Sequence, residues 1–320
     1  MTDKVKFKRA AVIGVGLIGS SLARALRERG LVDEIVGVDR DADVIARAQK
    51  LGVIDSGETD LAKGVKGADL IVVSTPVGAI GAVAKELGEA AEDGALIIDV
   101  GSVKGVAVEA AKAMPERVHF VPCHPVAGTE QSGPEAGFAS LFRDRWCILT
   151  PAPREDEAYK AAVEKAAALW TSVGARPEIM DAGHHDLALA VTSHLPHLIA
   201  FTLVGAADDV ESVAQGEVVK YSAGGFRDFT RIAASDPIMW RDVFLTNKDA
   251  VLEVLGRFSE ELAVMQRAIR WGEGDKLFDL FTRTREIRRG IVDAGQYFTN
   301  FSAEGENRQS DEKGKKKPTE

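Results

Sequence analysis

Cysteine is scarce in this chain, with Cys123 and Cys147 the only two among 320 residues. Two thiols allow at most one disulfide and no metal-finger spacing, and both fall in predicted strands, where a buried thiol acts as a small hydrophobe. An excess of positive charge is missing too. The net charge is -9, and lysine and arginine gather only near the end, which argues against a binder of phosphate backbones and so against a nucleic-acid partner. No strictly apolar run reaches the roughly 18 to 20 residues that a membrane helix needs. Met1-Thr2-Asp3-Lys4-Val5-Lys6 leads into a strand rather than a signal-peptide core. These features predict a cytoplasmic protein with no membrane partner.

What is present is an alternation of strand and helix. Short apolar strands are expected at Ala10 to Ile13, Glu34 to Val38, Leu70 to Ser74, Ala95 to Asp99, Val118 to Val121 and Trp146 to Thr150, with a last one near Pro177 to Met180. Helical spacing separates most of them, for example Ser20 to Arg29 and Asp156 to Val173. That order predicts an α/β fold, a doubly wound parallel sheet with helices on both faces.

From Gly183 the apolar spacing becomes helical throughout. Ser235-Asp236-Pro237 supplies a capping side chain and a first-turn proline, and the helix it starts is expected to run to about Arg270, with another from Asp275 to about Val292. The length suits two domains. We expect a dinucleotide-binding domain over 1–182, a helical domain over 183–301, and a disordered tail over 302–320, which is too polar to offset its ordering entropy.

Gly14-Val15-Gly16-Leu17-Ile18-Gly19 directly follows the first strand and opens a helix, the context that makes a G-x-G-x-x-G pattern credible. Gly14 permits the turn, Gly16 lets the backbone approach a pyrophosphate, and Gly19 lets helix and strand pack closely. Asp39 ends the second strand, where its carboxylate can bind ribose hydroxyls and repel a 2'-phosphate. NAD is therefore expected over NADP, although the neighbouring Arg40 could bind that phosphate. Ser74-Thr75-Pro76, at the end of the third strand, is expected to line the same cleft.

His124 ends a predicted strand at the carboxyl edge, where open α/β sheets bind ligands, and Pro125 fixes the chain after it. Proton acceptance and a structural histidine are both open for it. His194 and His197 lie three apart on one predicted helix and share a face. They read as a metal pair, substrate ligands or core residues; no glutamate and third ligand of an H-E-x-x-H site accompany them, so no metal is expected. His184 and His185, at the start of that helix, read best as solvated or interface residues.

Four segments in order, Val100-Gly101-Ser102-Val103-Lys104, Cys123-His124-Pro125-Val126-Ala127-Gly128-Thr129-Glu130, Ser193-His194-Leu195-Pro196-His197 and Asp228-Phe229-Thr230-Arg231, resemble the prephenate/arogenate dehydrogenase family of tyrosine biosynthesis. The likeness runs from about Lys8 to about Gly290. It implies an NAD-dependent oxidoreductase that converts prephenate to 4-hydroxyphenylpyruvate with loss of carbon dioxide. His124 is then the proton acceptor, Ser102 orients the imidazole and reaches the nicotinamide amide, and His197 lies at the substrate. Arg231 grips the substrate carboxylate. Thr129, Glu130, His194, Gly224 and Arg227 complete the substrate site, with Arg227 standing where many relatives carry lysine. Trp240 resembles a family tryptophan near the active site, though an aromatic at helical spacing is more often core. The resemblance also implies a homodimer through the helical half, and tyrosine, if it inhibits, is expected to act at the active site.

Alternatives are an arogenate or dual-specificity cyclohexadienyl dehydrogenase, and a β-hydroxyacid dehydrogenase, whose G-x-x-G-x-G-x-x-x-K-x-x-N motif is missing. A non-catalytic dinucleotide-sensing protein would bind NAD without turnover.

Overall fold

The computed structural model describes residues 5–214 and 223–293. Strands β1 (Phe7–Ile13), β2 (Val32–Val38), β3 (Ser56–Glu58), β4 (Leu70–Val73), β5 (Leu96–Asp99) and β6 (His119–Val121) form one sheet in the order β3-β2-β1-β4-β5-β6. Every pairing in it is parallel. Leu70-Ile71-Val72-Val73 and Leu96-Ile97-Ile98 are fully buried, as strands covered on both faces must be. The chain runs outward from β1 in both directions, so a crevice opens between the carboxyl ends of β1 and β4.

The expectation of a single sheet is corrected beyond β6. Strands β7 (Cys123–Pro125), β8 (Trp146–Leu149) and β9 (Arg176–Ile179) form a second, three-stranded sheet in which β7 and β8 are antiparallel. Pro122 separates β6 from β7; it has no amide hydrogen to give a ladder, and its carbonyl accepts from Thr150 N at 2.9 Å. His124 thus belongs to this small sheet and not to the large one. Cys123 and Cys147 are buried free thiols within it.

From Ala182 the described structure is helical. The expected helix from Pro237 is interrupted at Asn247, giving Pro237–Thr246 and Lys248–Trp271, and a last helix covers Gly274–Asp293. Asp236 caps the first of these, accepting from Met239 N at 2.8 Å. One helix nevertheless passes a hydropathy average, although no unbroken apolar run of spanning length occurs in it. The continuous helix Ala182–Asp209 has a mean hydropathy of 1.7 over an 18-residue window, enough by length and composition alone. Small polar residues, histidines and a proline interrupt its apolar run without lowering the average far. Three of its polar side chains, His185, Asp186 and His194, are buried in the protein's own hydrogen bonds.

By packing, the chain divides into one unit, Met1–Gly256, and a second from Arg257 onward. The first helices after residue 182 are thus part of the larger unit, where buried polar bonds tie them to β7 and to Lys104 and Gly105 at the start of the helix Gly105–Lys112. The tail, 302–320, lies outside the described residues.

Candidate active site

The glycine-rich turn is built as the fingerprint requires. Gly14 has φ +85°, and a Cβ there would sit 2.6 Å from Ser74 O; a Cβ on Gly19 would sit 2.3 Å from Gly14 O. Ser74 gives its hydroxyl to the carbonyls of Ile13, at 3.1 Å, and Gly14, so it clamps the turn from β4. Above Gly16, by contrast, nothing lies within 4 Å. The helix Leu17–Glu28 begins at Gly16 with no side-chain cap, leaving its first amides, at Leu17 and Ile18, for another acceptor. Open space over Gly16 and an uncapped helix N-terminus fit a dinucleotide pyrophosphate. Asp39 closes the turn from β2: its Oδ2 accepts from Val15 N and its Oδ1 from Asp41 N, each at 3.1 Å. Arg40 beside it is exposed, while Thr75 and Pro76 continue from Ser74.

His124 is held at the carboxyl end of β5 by a buried scaffold. Asp99, the last residue of β5, accepts from Cys123 N at 3.0 Å and Gly101 N at 2.9 Å, and it pairs with the ammonium of Lys104. Lys104 Nζ also donates to Cys123 O at 2.8 Å. Both side chains are fully buried, and together they join β5, the Gly101-Ser102 loop and β7. No sequence pattern marks this pair, because its burial and its pairing arise only in the folded chain.

The ring of His124 is nearly buried, and its Nδ1 lies 2.8 Å from Nε2 of His185. Burial first, and then the neighbouring His185, Lys104 and His194, push the His124 imidazole well below its ordinary value, so it is neutral at physiological pH. Here two expectations are corrected. His185 is wholly buried and not solvated, because its helix turns that face onto β7. The partner holding His124 Nδ1 is His185 and not Ser102, which lies partly exposed on the loop after β5.

Pro196 shapes the next part of the site. A proline inside a helix removes one amide and crowds the carbonyl four residues back; the preceding stretch Ala190–His194 takes up the strain as a π-helical turn. His194 is thereby buried, with Nδ1 3.0 Å from Nδ2 of Asn247. Desolvation lowers its pKa to about 4. His197 stacks on Trp240, ring centroids 3.7 Å apart, and gives its Nδ1 hydrogen to Ser193 O at 2.8 Å. Burial lowers its pKa, and the positive charge of Arg231 adds to that. Trp240 is therefore buried, with His197 stacked against it.

Arg231 follows the helix Gly224–Thr230 and donates to Glu130 Oε2 at 2.6 Å. Its side chain remains half exposed. Thr129, next to Glu130, accepts from Gln131 N at 3.2 Å, shaping the loop. Gly224 starts the helix that carries Arg227, whose side chain is exposed. The structure thus gathers His194, His197 and Trp240 into one cluster, His124 and His185 into another, and Glu130 with Arg231.

A doubly wound dinucleotide crevice with a buried, neutral histidine at its carboxyl side defines a nicotinamide-dependent dehydrogenase. Residues 22–179 match the family described as "Prephenate dehydrogenase, nucleotide-binding domain", and residues 181–283 match "Prephenate dehydrogenase, dimerization domain". The chain belongs to the prephenate dehydrogenase family. It is 40% identical over 286 residues to the cyclohexadienyl dehydrogenase of Zymomonas mobilis, covering 89% of this chain and 96% of that one. It is 36% identical over 280 residues to the prephenate dehydrogenase of Bacillus subtilis, covering 87% and 74%. Among solved structures, the prephenate dehydrogenase of A. aeolicus in complex with hydroxyphenyl propionate and NAD+ superposes with a TM-score of 0.82 at 35% identity, over 89% of this chain and 98% of that one.

Proposed function

We propose that this protein is a prephenate dehydrogenase, converting prephenate and NAD to 4-hydroxyphenylpyruvate, carbon dioxide and NADH. The observation that carries this is His124: buried, neutral and held through Nδ1, so that Nε2 is the nitrogen left to meet a substrate hydroxyl. Bound NAD supplies the acceptor for the hydride that leaves ring carbon C4. His124 takes the C4 hydroxyl proton as the C4–H bond breaks, so a ring carbonyl forms without a free alkoxide. Loss of the C1 carboxylate as carbon dioxide then sends its electron pair through the ring to that oxygen, which recovers its proton as the ring becomes aromatic.

Other residues of this chain place the substrate. Arg231 offers a planar fork suited to a carboxylate, and His197 is fixed in orientation by Ser193 and Trp240. Thr129, Glu130, His194, Gly224 and Arg227 are assigned to the substrate in this reading, and Ser102, on the loop after β5, to the cofactor. Holding ring and nicotinamide in line is most of the task. Tyrosine, with a phenol and a carboxylate, suits the same pocket as an inhibitor.

Two copies joined through the helical half are part of this reading. Val191 and Leu262 are about half exposed in the single chain, and Leu187, Leu203 and Val204 are also exposed apolar residues. A twofold pair would cover such surfaces. We place the enzyme in the cytoplasm.

The likeness to a cyclohexadienyl dehydrogenase favours a second substrate, arogenate, which carries an amino group where prephenate has a keto group. Steady-state rates with prephenate and with arogenate, each with NAD and with NADP, test all of this. NADH formation from prephenate is expected; NAD binding without turnover of either substrate would leave a dinucleotide sensor instead.

A further inference from the structure

The reaction proposed above needs a bare nitrogen on His124, and the structure contains a device that selects which one. Asp186 accepts from Lys104 N at 2.7 Å through Oδ1 and from Gly105 N at 2.8 Å through Oδ2; its Oδ1 also lies 2.8 Å from Nδ1 of His185. Burial alone would raise the Asp186 carboxyl, but the bonds from His185, Lys104 and Gly105 outweigh it and hold the group below its ordinary value. The carboxylate is ionised and can only accept. His185 must therefore carry its hydrogen on Nδ1. Where that is the one hydrogen His185 carries, its Nε2 is a lone pair and the atom 2.8 Å away, Nδ1 of His124, is the donor. His124 is then left with Nε2 bare.

We infer that His185 and Asp186 are positioning residues that fix His124 as its Nδ1–H tautomer and so make Nε2 the proton acceptor. The inference rests on the reading of His124 as the proton acceptor. The charged and titratable groups around the chain agree with it. The ammonium of Lys104 is paired with Asp99, and His194 is held neutral by burial, so neither competes for the carboxylate of Asp186. When His124 takes a proton, its Nδ1–H still has an acceptor in His185, and the new charge is aligned with a buried carboxylate one residue further on. Neither residue touches substrate in this scheme.

Two measurements on the full chain test it. Nitrogen-detected spectra of imidazole-labelled protein without substrate, with His124 assigned from the His124→Asn variant, should show hydrogen on Nδ1 and none on Nε2 at neutral pH. A hydrogen found on Nε2 would overturn the inference, whatever the enzyme turns over. In kinetics, His185→Phe removes the acceptor and should lower kcat by about a hundredfold, the scale of losing a general base, with NAD affinity and the KM for prephenate little changed. His185→Gln should restore most of the rate, because its Oε1 can accept from His124 while its amide faces Asp186. Wild-type turnover in His185→Phe, or a His185→Gln variant as slow as His185→Phe, would also overturn it. Absence of prephenate turnover in the unaltered enzyme would refute the proposed function and leave the tautomer to be decided by the spectra.

Discussion

Glu130 holds Arg231 by a hydrogen bond of 2.6 Å across 101 residues of sequence, joining the loop after β7 to the helical half. The guanidinium proposed to grip the substrate is therefore already paired, and a substrate carboxylate must share or displace Glu130. Arg231→Ala should raise the KM for prephenate roughly ten- to a hundredfold, since a charge-assisted hydrogen bond is worth about 1.5 to 3 kcal/mol. Turnover should fall less, because the grip acts in ground and transition states alike. Inhibition by tyrosine should weaken in parallel. An unchanged KM with intact turnover would make Arg231 an ordinary surface arginine and move attention to Arg227.

Replacing His124 by Asn should cut kcat by about 10²- to 10⁴-fold, the range for loss of a general base, while NAD affinity stays near normal. Binding titrations beside steady-state rates separate the two effects. Wild-type turnover in this variant would remove the central chemical claim. Ser102→Ala leaves His185 in place against His124 and should show a milder loss.

Asp39→Ser, with Arg40 left in place, should weaken NAD and improve NADP. The change removes repulsion of a 2'-phosphate, and it also removes the acceptor for Val15 N in the glycine-rich turn. The NAD penalty should therefore exceed the NADP gain. Specificity constants for the two cofactors measure it, and an unchanged ratio would deny Asp39 its role in cofactor choice.

Acid should destabilise the fold over a defined window. His194 has a folded pKa of about 4 against an ordinary value of 6.5, and burial also lowers His124. Between pH 6.5 and 4 the unfolded chain binds protons that the folded chain does not, so stability falls as pH drops through that range. Below it, protonation of Asp186, whose folded value is also lowered, removes more. Denaturant midpoints measured across that range should decline steadily; a flat profile would show that these histidines are hydrated in solution. For the same reason, the acid limb of kcat/KM should lie below pH 6.5.

Sedimentation at micromolar concentration should give a dimer. Leu252 is exposed in the larger unit and Phe278 and Phe281 in the smaller, an amount of apolar surface that a lone chain would leave in water. A monomer at that concentration would refute the pairing.

The sequence by itself determined the dinucleotide half. Its evidence is local: a glycine pattern directly after a strand, an acidic residue at the end of the next strand, and apolar runs of strand length. Gly14 and Gly19 belong to the turn itself and Asp39 sits at the end of the next strand, at the usual spacing from it, so the pattern was enough to read them. The helix start at Asp236-Pro237 was legible for the same reason. What only the tertiary structure decided lies where distant segments meet. Pro122 sends His124 into a separate small sheet, and only that placement brings it against His185, 61 residues later in the chain. A buried histidine and a solvated one look alike in sequence, because burial depends on what packs against the helix face. The helix break at Asn247 was illegible too; its side chain bonds Asp186 O and His194, more than fifty residues earlier in the chain. Asp99 and Lys104 cancel each other's charge inside the protein. No periodicity records that, because the desolvation cost and the attraction that offsets it exist only once both groups share one buried site.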